Sequence, residues 1–331
     1  ILGKLNNQNT KIVKDDLSNF IDNKLKNLDI YEIKFSSKND FNFRVDKKFK
    51  IKNFQIDSEI DLEKLRLSNP MEVKKIFPKI KKEVVFENQK IKLKYEKNNL
   101  NIVGKGSIFL QSNLDKIKYA INKKTDELKF DATLTVLKNP FHLELLNFKK
   151  STSDLQLNFQ GKNKINQKMI IFDQISLKEK NNIISIRNLI LSDDRRIKDL
   201  EEVSISFQDE QDLKNDLQII KKNKNFLISG NTFNINNIID RLLNSEDDKK
   251  LRVFDRDLKI FFDIDKIYLD KSNFVNNLGG FLSLNEDQVS ELELESKFSD
   301  QKNIKLTIKN NGKEKITTLF SGNAKPIVDR Y

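Results

Sequence analysis

The chain has 331 residues, with 61 Lys and Arg against 49 Asp and Glu, a formal net charge of +12, one His, and neither Cys nor Trp. Its length suits two or so domains with a sizeable core. The lack of Cys excludes disulfide scaffolds, thiolate metal sites and cysteine nucleophiles. The 24 Phe, with patterned Leu, Ile and Val, argue against a disordered polymer.

The positive charge does not by itself indicate a polyanionic partner. Only nine of the 61 basic residues are Arg, and the Lys residues are scattered along the whole chain beside apolar residues. Nucleic-acid binders usually concentrate basic charge on one face and favour Arg. A genome of A/T-rich codons explains the abundance of Lys, Asn, Ile and Phe. We predict no nucleic-acid partner, and a weak attraction to an anionic membrane surface stays open.

No segment is apolar enough to cross a bilayer as a helix. The longest uninterrupted apolar run is the four residues 169–172, where about 20 are needed. We predict no signal peptide within this sequence, whose first residue is Ile. We therefore expect the chain to be an excerpt or a processed product, with any membrane anchor outside these residues.

The first elements in chain order are a helix, a strand and a second helix. Apolar residues at helical spacing predict a helix over 10–27. Phe41, Phe43 and Val45 alternate with polar residues, and this alternation continues to Phe49 and Ile51. A short helix over 70–77 is predicted to begin at its proline.

Two-residue alternation then dominates the chain, as expected of strands with one apolar and one solvated face. The same pattern recurs at 91–95, 155–159, 203–207, 258–264, 292–294 and 304–308. Short connectors rich in Asn and Lys predict hairpin turns at 96–99, 122–126, 161–163, 180–182, 221–225 and 310–313. Gly104 and Gly106 are interpreted as a bulge or bend within a strand. Alternation of this kind favours antiparallel meanders.

An amphipathic helix is predicted over 234–244, where Ile and Leu recur at helical spacing. The charged segment 245–250 follows and marks a boundary. Three segments are predicted: 1–80 with a helix and strand, 81–244 with a meander and helix, and 245–331 with further strands. The predicted fold is mainly β with a few short helices, an elongated antiparallel β-meander curled into an apolar groove.

Candidate catalytic and metal sites are scarce. His142 is the only imidazole and has no nucleophile motif near it. Glu291, Glu293 and Glu295 alternate with Leu, so they are interpreted as a solvated strand face, as are Asp263 and Asp265. We predict no catalytic residue, no metal site and no cofactor, and therefore no enzyme.

The segment 226–331 resembles a known family. SGNTFNI at 229–235 leads into the predicted helix, NLGGFLSL at 277–284 and VSELEL at 289–294 follow as strands, and ITTLF at 316–320 with AKPIV at 324–328 closes the segment. These loose strand patterns are similar to the C-terminal region of AsmA-like proteins. The resemblance is fainter over 41–207.

The resemblance implies a bacterial envelope protein that is anchored in the inner membrane and extends across the periplasm. Its β-groove would conduct phospholipid acyl chains between the inner and outer membranes, with inner- and outer-membrane envelope proteins as further partners. The expected groove lining is Leu128, Phe130, Leu134, Val136, Leu258, Ile260, Phe262, Ile264, Ile304, Leu306 and Ile308.

Alternation alone leaves other functions open. A sheet with one apolar face either packs that face against another layer or leaves it to line a cavity. The same residues therefore suit a structural or adhesive β-rich protein with a packed core. They also suit an envelope-assembly scaffold that binds a strand along an exposed sheet edge.

Overall fold

A computed structural model describes residues 2–7, 29–69, 73–237, 257–285, 288–311 and 314–325. Most of these residues lie in β-strands, because the two-residue alternation of apolar and polar side chains extends through most of the chain. The mainly β, antiparallel fold class is confirmed. The chain divides into two compact units, which are described separately.

Unit 1 comprises 1–142 and 150–168. Its strands pair antiparallel in chain order from β1 to β7, and β7 then pairs with β10. The strands are β1 (Leu2–Asn7), β2 (Ile30–Val45), β3 (Ile51–Ser68), β4 (Glu83–Glu96), β5 (Asn99–Phe109), β6 (Asp115–Lys123), β7 (Glu127–Val136) and β10 (Leu155–Lys164).

Unit 2 comprises 143–149 and 169–331. Its sheet begins with β11 (Met169–Glu179), β12 (Asn182–Ser192), β13 (Ile197–Asp199), β14 (Glu202–Gln208), β15 (Lys214–Lys222) and β16 (Asn225–Asn234). It continues with β17 (Leu258–Tyr268), β18 (Phe274–Asn285), β19 (Gln288–Phe298), β20 (Asn303–Asn311) and β21 (Glu314–Ser321). The short strands β8 (His142–Leu143) and β9 (Phe148–Lys149) form a separate two-stranded sheet.

One pairing departs from the antiparallel meander. β16 and β17 run parallel, with Phe226 opposite Ile260 and Asn234 opposite Tyr268. Parallel neighbours need a long crossover connection, and here the connection is residues 235–257. A strand shows the same alternation whether it pairs parallel or antiparallel with its neighbour. The local pattern therefore does not distinguish the two kinds of pairing.

The described helices are short. The two helices with assigned bounds are 3-10 helices at Glu144–Leu146 and Ile165–Gln167. The predicted helix over 10–27 lies outside the described residues, as does 238–244 of the helix predicted over 234–244. In the described part of 70–77, Val73 accepts the backbone N–H groups of Ile76 and Phe77 within a turn, not a helix.

Four of the predicted hairpin turns are confirmed. Two-residue turns connect β4 to β5, β11 to β12 and β15 to β16, and residues 124–126 connect β6 to β7. Lys97 and Asn98 both have positive φ, 48° and 62°, as a type I′ turn requires. Asn311 and Glu314 pair across 310–313, although residues 312–313 lie outside the described residues.

Two local predictions are wrong. Residues 161–163 lie within β10, and the chain turns instead at Ile165–Gln167. Phe49 lies in a turn between β2 and β3, so the alternation at 41–51 is interrupted. The Asp46 carboxylate accepts the backbone N–H groups of Lys48 and Lys50, both at 2.9 Å, and this fixes the turn.

The two units differ from the three predicted segments 1–80, 81–244 and 245–331. β3 and β4 pair along most of their lengths across the expected boundary at 80. The charged segment 245–250 lies outside the described residues.

Candidate functional site

One face of the unit 1 sheet is mostly apolar. Residues opposite each other on neighbouring strands share a face, and one such row comprises Ile60, Ile91, Gly104, Tyr119, Ala132 and Phe159. The next row comprises Leu93, Ile102, Ile121, Phe130 and Gly161. We call this surface the apolar face of unit 1.

This face is closed at one end by a packed core. Val84, Ile108 and Leu110 are buried together, with Leu134 packed against them. Phe141 is also buried and contacts Phe77 edge to face, with ring centroids 5.4 Å apart. Towards the other end the side chains are only half-buried, including Phe130. The apolar face therefore grades from a core into a partly exposed surface.

A polar patch interrupts the apolar face of unit 1. The Ser58 hydroxyl donates to the Asn39 side-chain oxygen at 2.6 Å, and the Asn39 amide donates to the Ser37 hydroxyl at 2.9 Å. Gln89 is buried at a register shift in β4, where its Nε2 donates to the Ser107 carbonyl at 2.7 Å. The apolar face of unit 1 therefore contains a few polar side chains, and these are hydrogen-bonded to one another or to the backbone.

Glycines lie opposite aromatic side chains on these faces. Gly104 is opposite Tyr119, Gly161 is opposite Phe130, and Gly280 in unit 2 is opposite Phe262. A Cβ at Gly104 would come within 2.3 Å of the Tyr119 ring. Gly104 therefore leaves space for the Tyr119 ring to lie across the neighbouring strand.

Unit 2 has a longer apolar row, which crosses ten strands from β11 to β21. It comprises Ile175, Ile186, Val203, Ile219, Ile228, Phe262, Gly280, Leu294, Leu306 and Leu319. Every member is apolar or glycine, and none is fully buried. We call the surface that carries this row the apolar face of unit 2.

Other rows of this face are packed. Leu177, Ile184, Ile205 and Leu217 are buried and lie opposite one another on successive strands. Elsewhere, Leu200, Phe226 and Leu258 form a core cluster with partly buried neighbours that include Ile260. The apolar face of unit 2 therefore combines a packed part with the half-buried row.

The predicted lining residues lie where the alternation placed them, on the apolar faces. In unit 1, Val136 is fully buried, whereas Leu128, Phe130 and Leu134 are partly buried. In unit 2, the buried members are Leu258 and Ile264, and the partly buried ones are Ile260, Phe262, Ile304, Leu306 and Ile308. The two sets belong to different units.

The opposite face of unit 1 is charged. Lys90 pairs with Asp61 at 2.8 Å and Lys92 with Glu59 at 3.2 Å, both between β3 and β4. Lys105 lies directly opposite Lys118. These residues surround an open depression of about 620 Å³ whose lining includes Val103 and Ala120.

The charged face of unit 2 holds a three-residue ion cluster. Lys305 Nζ bonds Glu293 at 2.7 Å and also contacts Glu295. The hydrogen bond with Lys305 lowers the pKa of Glu293, and the same bond is the main cause of the raised pKa of Lys305. Glu291 and Glu295 are exposed, as are Asp263 and Asp265, so the interpretation of these carboxylates as a solvated face is confirmed.

His142, the single imidazole of the sequence, lies in the short strand β8. Its backbone N–H donates to the Ile76 carbonyl at 3.0 Å. Within the described ranges, no group of three or more His, Asp or Glu is placed to hold a metal ion. Among the same residues, none of the helices has the length and apolar character needed to span a bilayer.

Several features of these faces were missed from sequence. The glycine and aromatic pairs depend on register, which pairs residues far apart in the chain. The buried hydrogen bonds of Gln89 depend on the β4 register shift, for which the sequence offers no local signal. The sequence shows the alternation within each strand of the ten-strand row, but it does not show which residues of different strands lie opposite one another.

Comparisons with known proteins do not assign the chain to a family. No protein-family model, curated protein or solved structure matches it. The resemblance to AsmA-like proteins therefore stays a prediction.

Proposed function

We propose that the chain is a non-enzymatic section of a lipid conduit. Its apolar sheet faces shield phospholipid acyl chains while the head groups stay in water, and lipid moves along without covalent chemistry. The setting that the AsmA-like resemblance implies is the periplasm, between the inner and outer membranes. Partners in that setting are phospholipids and envelope proteins of the two membranes.

The observation that supports this proposal is the row across ten strands of unit 2, whose members are half-buried except for the exposed Leu319. Nine inter-strand spacings of about 4.8 Å correspond to about 43 Å along the sheet. Phe262 and Leu294 lie on this row on either side of Gly280, and the opposite face carries the ion cluster of Lys305, Glu293 and Glu295. Burial at about 0.8 kcal/mol per CH₂ favours an acyl chain on such a surface over the same chain exposed to water.

The experiment is native mass spectrometry of the chain after gentle purification from bacterial envelopes, with extraction of bound lipid. β17 offers a matched pair, because Phe261 and Phe262 are adjacent and lie on opposite faces. We expect co-purifying phospholipid in the wild type and in Phe261→Ser, and at least a several-fold loss in Phe262→Ser. Unit 1 offers the analogous pair Phe130→Ser and Asp131→Ser.

Folding must be verified for each variant by its circular dichroism spectrum and unfolding midpoint. A folded wild-type chain free of lipid would contradict the proposal. Equal lipid loss in Phe261→Ser and Phe262→Ser would also contradict it, since the charged face would then matter as much as the apolar face.

A second candidate is a structural or envelope-assembly scaffold with a packed core. It is supported by the burial of Val136, Leu258 and Ile264, which are predicted lining residues. It is also supported by β21, which within the described residues pairs only with β20. Exposed strand edges accept further strands, so the lipid-free outcome would favour this candidate.

A further inference from the structure

The hairpin of β2 and β3 projects beyond the neighbouring strand β4. Pairing of β3 with β4 begins at Ile56 and Tyr95, whereas pairing of β3 with β2 continues to Ile51 and Val45. The five residues 51–55 therefore extend about 17 Å past the pairing with β4. We call residues 43–54 the finger.

The finger exposes large apolar side chains at its end. Phe49 is 90% exposed, Ile51 is 61% exposed and Val45 is 45% exposed. Phe49, at this exposure, gains almost no apolar burial from the folded chain itself. Clustered exposed apolar residues mark a binding surface.

The backbone holds Phe49 in an unfavourable conformation. Its φ is 58°, which is uncommon for a bulky residue. Asp46 orders the turn, since it bonds the N–H groups of Lys48 and Lys50 through its side chain and that of Phe49 through its carbonyl. The turn therefore presents Phe49 to solvent in a defined position.

Basic residues surround these apolar side chains. The finger contains Arg44, Lys47, Lys48, Lys50 and Lys52, and Asp46 is its single carboxylate. Asp46 already accepts two backbone N–H groups and lies 3.9 Å from Lys52. The end of the finger thus combines a net positive charge with exposed Phe, Ile and Val.

We propose that the finger binds the surface of an anionic lipid bilayer, with Phe49 and Ile51 inserted at the level of the head groups and the Lys residues on anionic lipids. Aromatic and aliphatic side chains bordered by Lys match the interfacial region, where apolar burial and electrostatic attraction act together. A nucleic acid would use the Lys residues but not Ile51. This proposal does not depend on lipid being carried on the apolar faces.

The first test uses sedimentation with vesicles of phosphatidylcholine, with and without phosphatidylglycerol. We expect the wild type to bind the vesicles that contain phosphatidylglycerol, with an affinity that falls as salt rises. Phe49→Ser should weaken binding on the order of tenfold, since it removes an inserted aromatic ring. Lys47→Glu combined with Lys48→Glu should weaken it by more than tenfold, because each Lys is replaced by a repelled charge.

Matched controls separate the finger from general charge and exposure. Phe320→Ser removes another exposed Phe, which is 60% exposed on β21. Lys105→Glu with Lys118→Glu removes the same charge from the charged face of unit 1. If either control weakens binding as much as the finger variants do, the proposal is wrong.

The lack of Trp in the chain allows a direct readout of insertion. Phe49→Trp places a single indole at the end of the finger, and Phe320→Trp is its control. We expect a blue shift of emission on anionic vesicles, and quenching by brominated lipid, for Phe49→Trp alone. Binding without a blue shift, or binding to duplex DNA with the same dependence on Phe49, would overturn the proposal.

Discussion

Tyr119 on β6 lies directly opposite Gly104 on β5, and its ring occupies the space that a side chain at position 104 would take. A Cβ there would lie 2.3 Å from the ring carbon that bears the hydroxyl. Burial raises the pKa of the Tyr119 hydroxyl above its ordinary value of 10.0. The pair therefore shapes the middle of the apolar face of unit 1.

Gly104→Ala should destabilise the chain by about 1–3 kcal/mol, because the added methyl group displaces the Tyr119 ring. The measurement is the free energy of unfolding in urea. In a Tyr119→Ala background the same substitution should cost much less, since the opposing ring is gone. Equal costs in the two backgrounds would show that the ring contact is not the cause.

Asp115 predicts a dependence of stability on pH. Its fully buried carboxylate accepts the Leu137 N–H at 2.9 Å and the Asn139 amide at 2.7 Å. Burial is the main cause that raises the pKa of Asp115 above its ordinary value of 3.8. The folded chain therefore holds this proton more tightly than the unfolded chain does. Its contribution to stability is greatest below pH 3.8 and is lost as pH rises through the folded-state pKa.

The measurement compares the free energy of unfolding of the wild type and Asp115→Asn between about pH 4 and pH 7. The advantage of the wild type over the variant should shrink as pH rises and then level off. Asp126→Asn, in an exposed turn, is the control and should change stability by less than about 0.5 kcal/mol throughout. A growing advantage of Asp115 with rising pH would reverse the assigned sign.

Asn215 anchors a buried hydrogen-bond network in unit 2. Its Oδ1 accepts the Asn234 backbone N–H at 2.8 Å, and its Nδ2 donates to the Leu213 carbonyl at 3.1 Å. Asn215→Ala should cost about 1–3 kcal/mol of unfolding free energy, since it removes the acceptor of the buried Asn234 backbone N–H. Asn231→Ala, on the exposed side of β16, should cost less than about 0.5 kcal/mol. Similar losses in chemical denaturation would argue against the network.

Lys97 predicts a stabilising substitution. It is exposed, with φ of 48°, in the turn between β4 and β5. Lys97→Gly should stabilise the chain by up to about 1 kcal/mol in thermal or urea unfolding, because glycine adopts this conformation without steric cost. Lys94→Gly, within the extended strand β4, should instead destabilise it by about 0.5–1 kcal/mol. A loss of stability in both variants would exclude this explanation.

Much of the fold was predictable because a strand with one buried face leaves a local signature. The alternation around Phe130 and Phe262 indicated both the strand and the side of it that is apolar. The turn at Lys97 was predicted for a similar reason, since Asn and Lys cluster between two alternating segments. Such patterns can be recognised from residues that are neighbours in the sequence, without knowledge of the partner strand.

The errors occurred where the local pattern fits two structures. Val45 and Ile51 keep the same alternation on either side of a turn. The pattern therefore predicts one continuous strand, although the chain turns at Phe49. Gly161 looked like a turn residue, yet it lies in β10, opposite the ring of Phe130. In both cases the partner strand, and not the local residues, decides the conformation.

The two-residue alternation in the sequence was enough to predict strands with one apolar and one polar face, because a period of two is a property of the strand alone. The three-dimensional structure was needed to establish the register, the parallel pairing of β16 with β17, the burial of Asp115 and the projection of the finger. Each of these depends on which distant strand lies alongside and where its pairing stops. Those choices are made by packing and hydrogen bonding across the sheet.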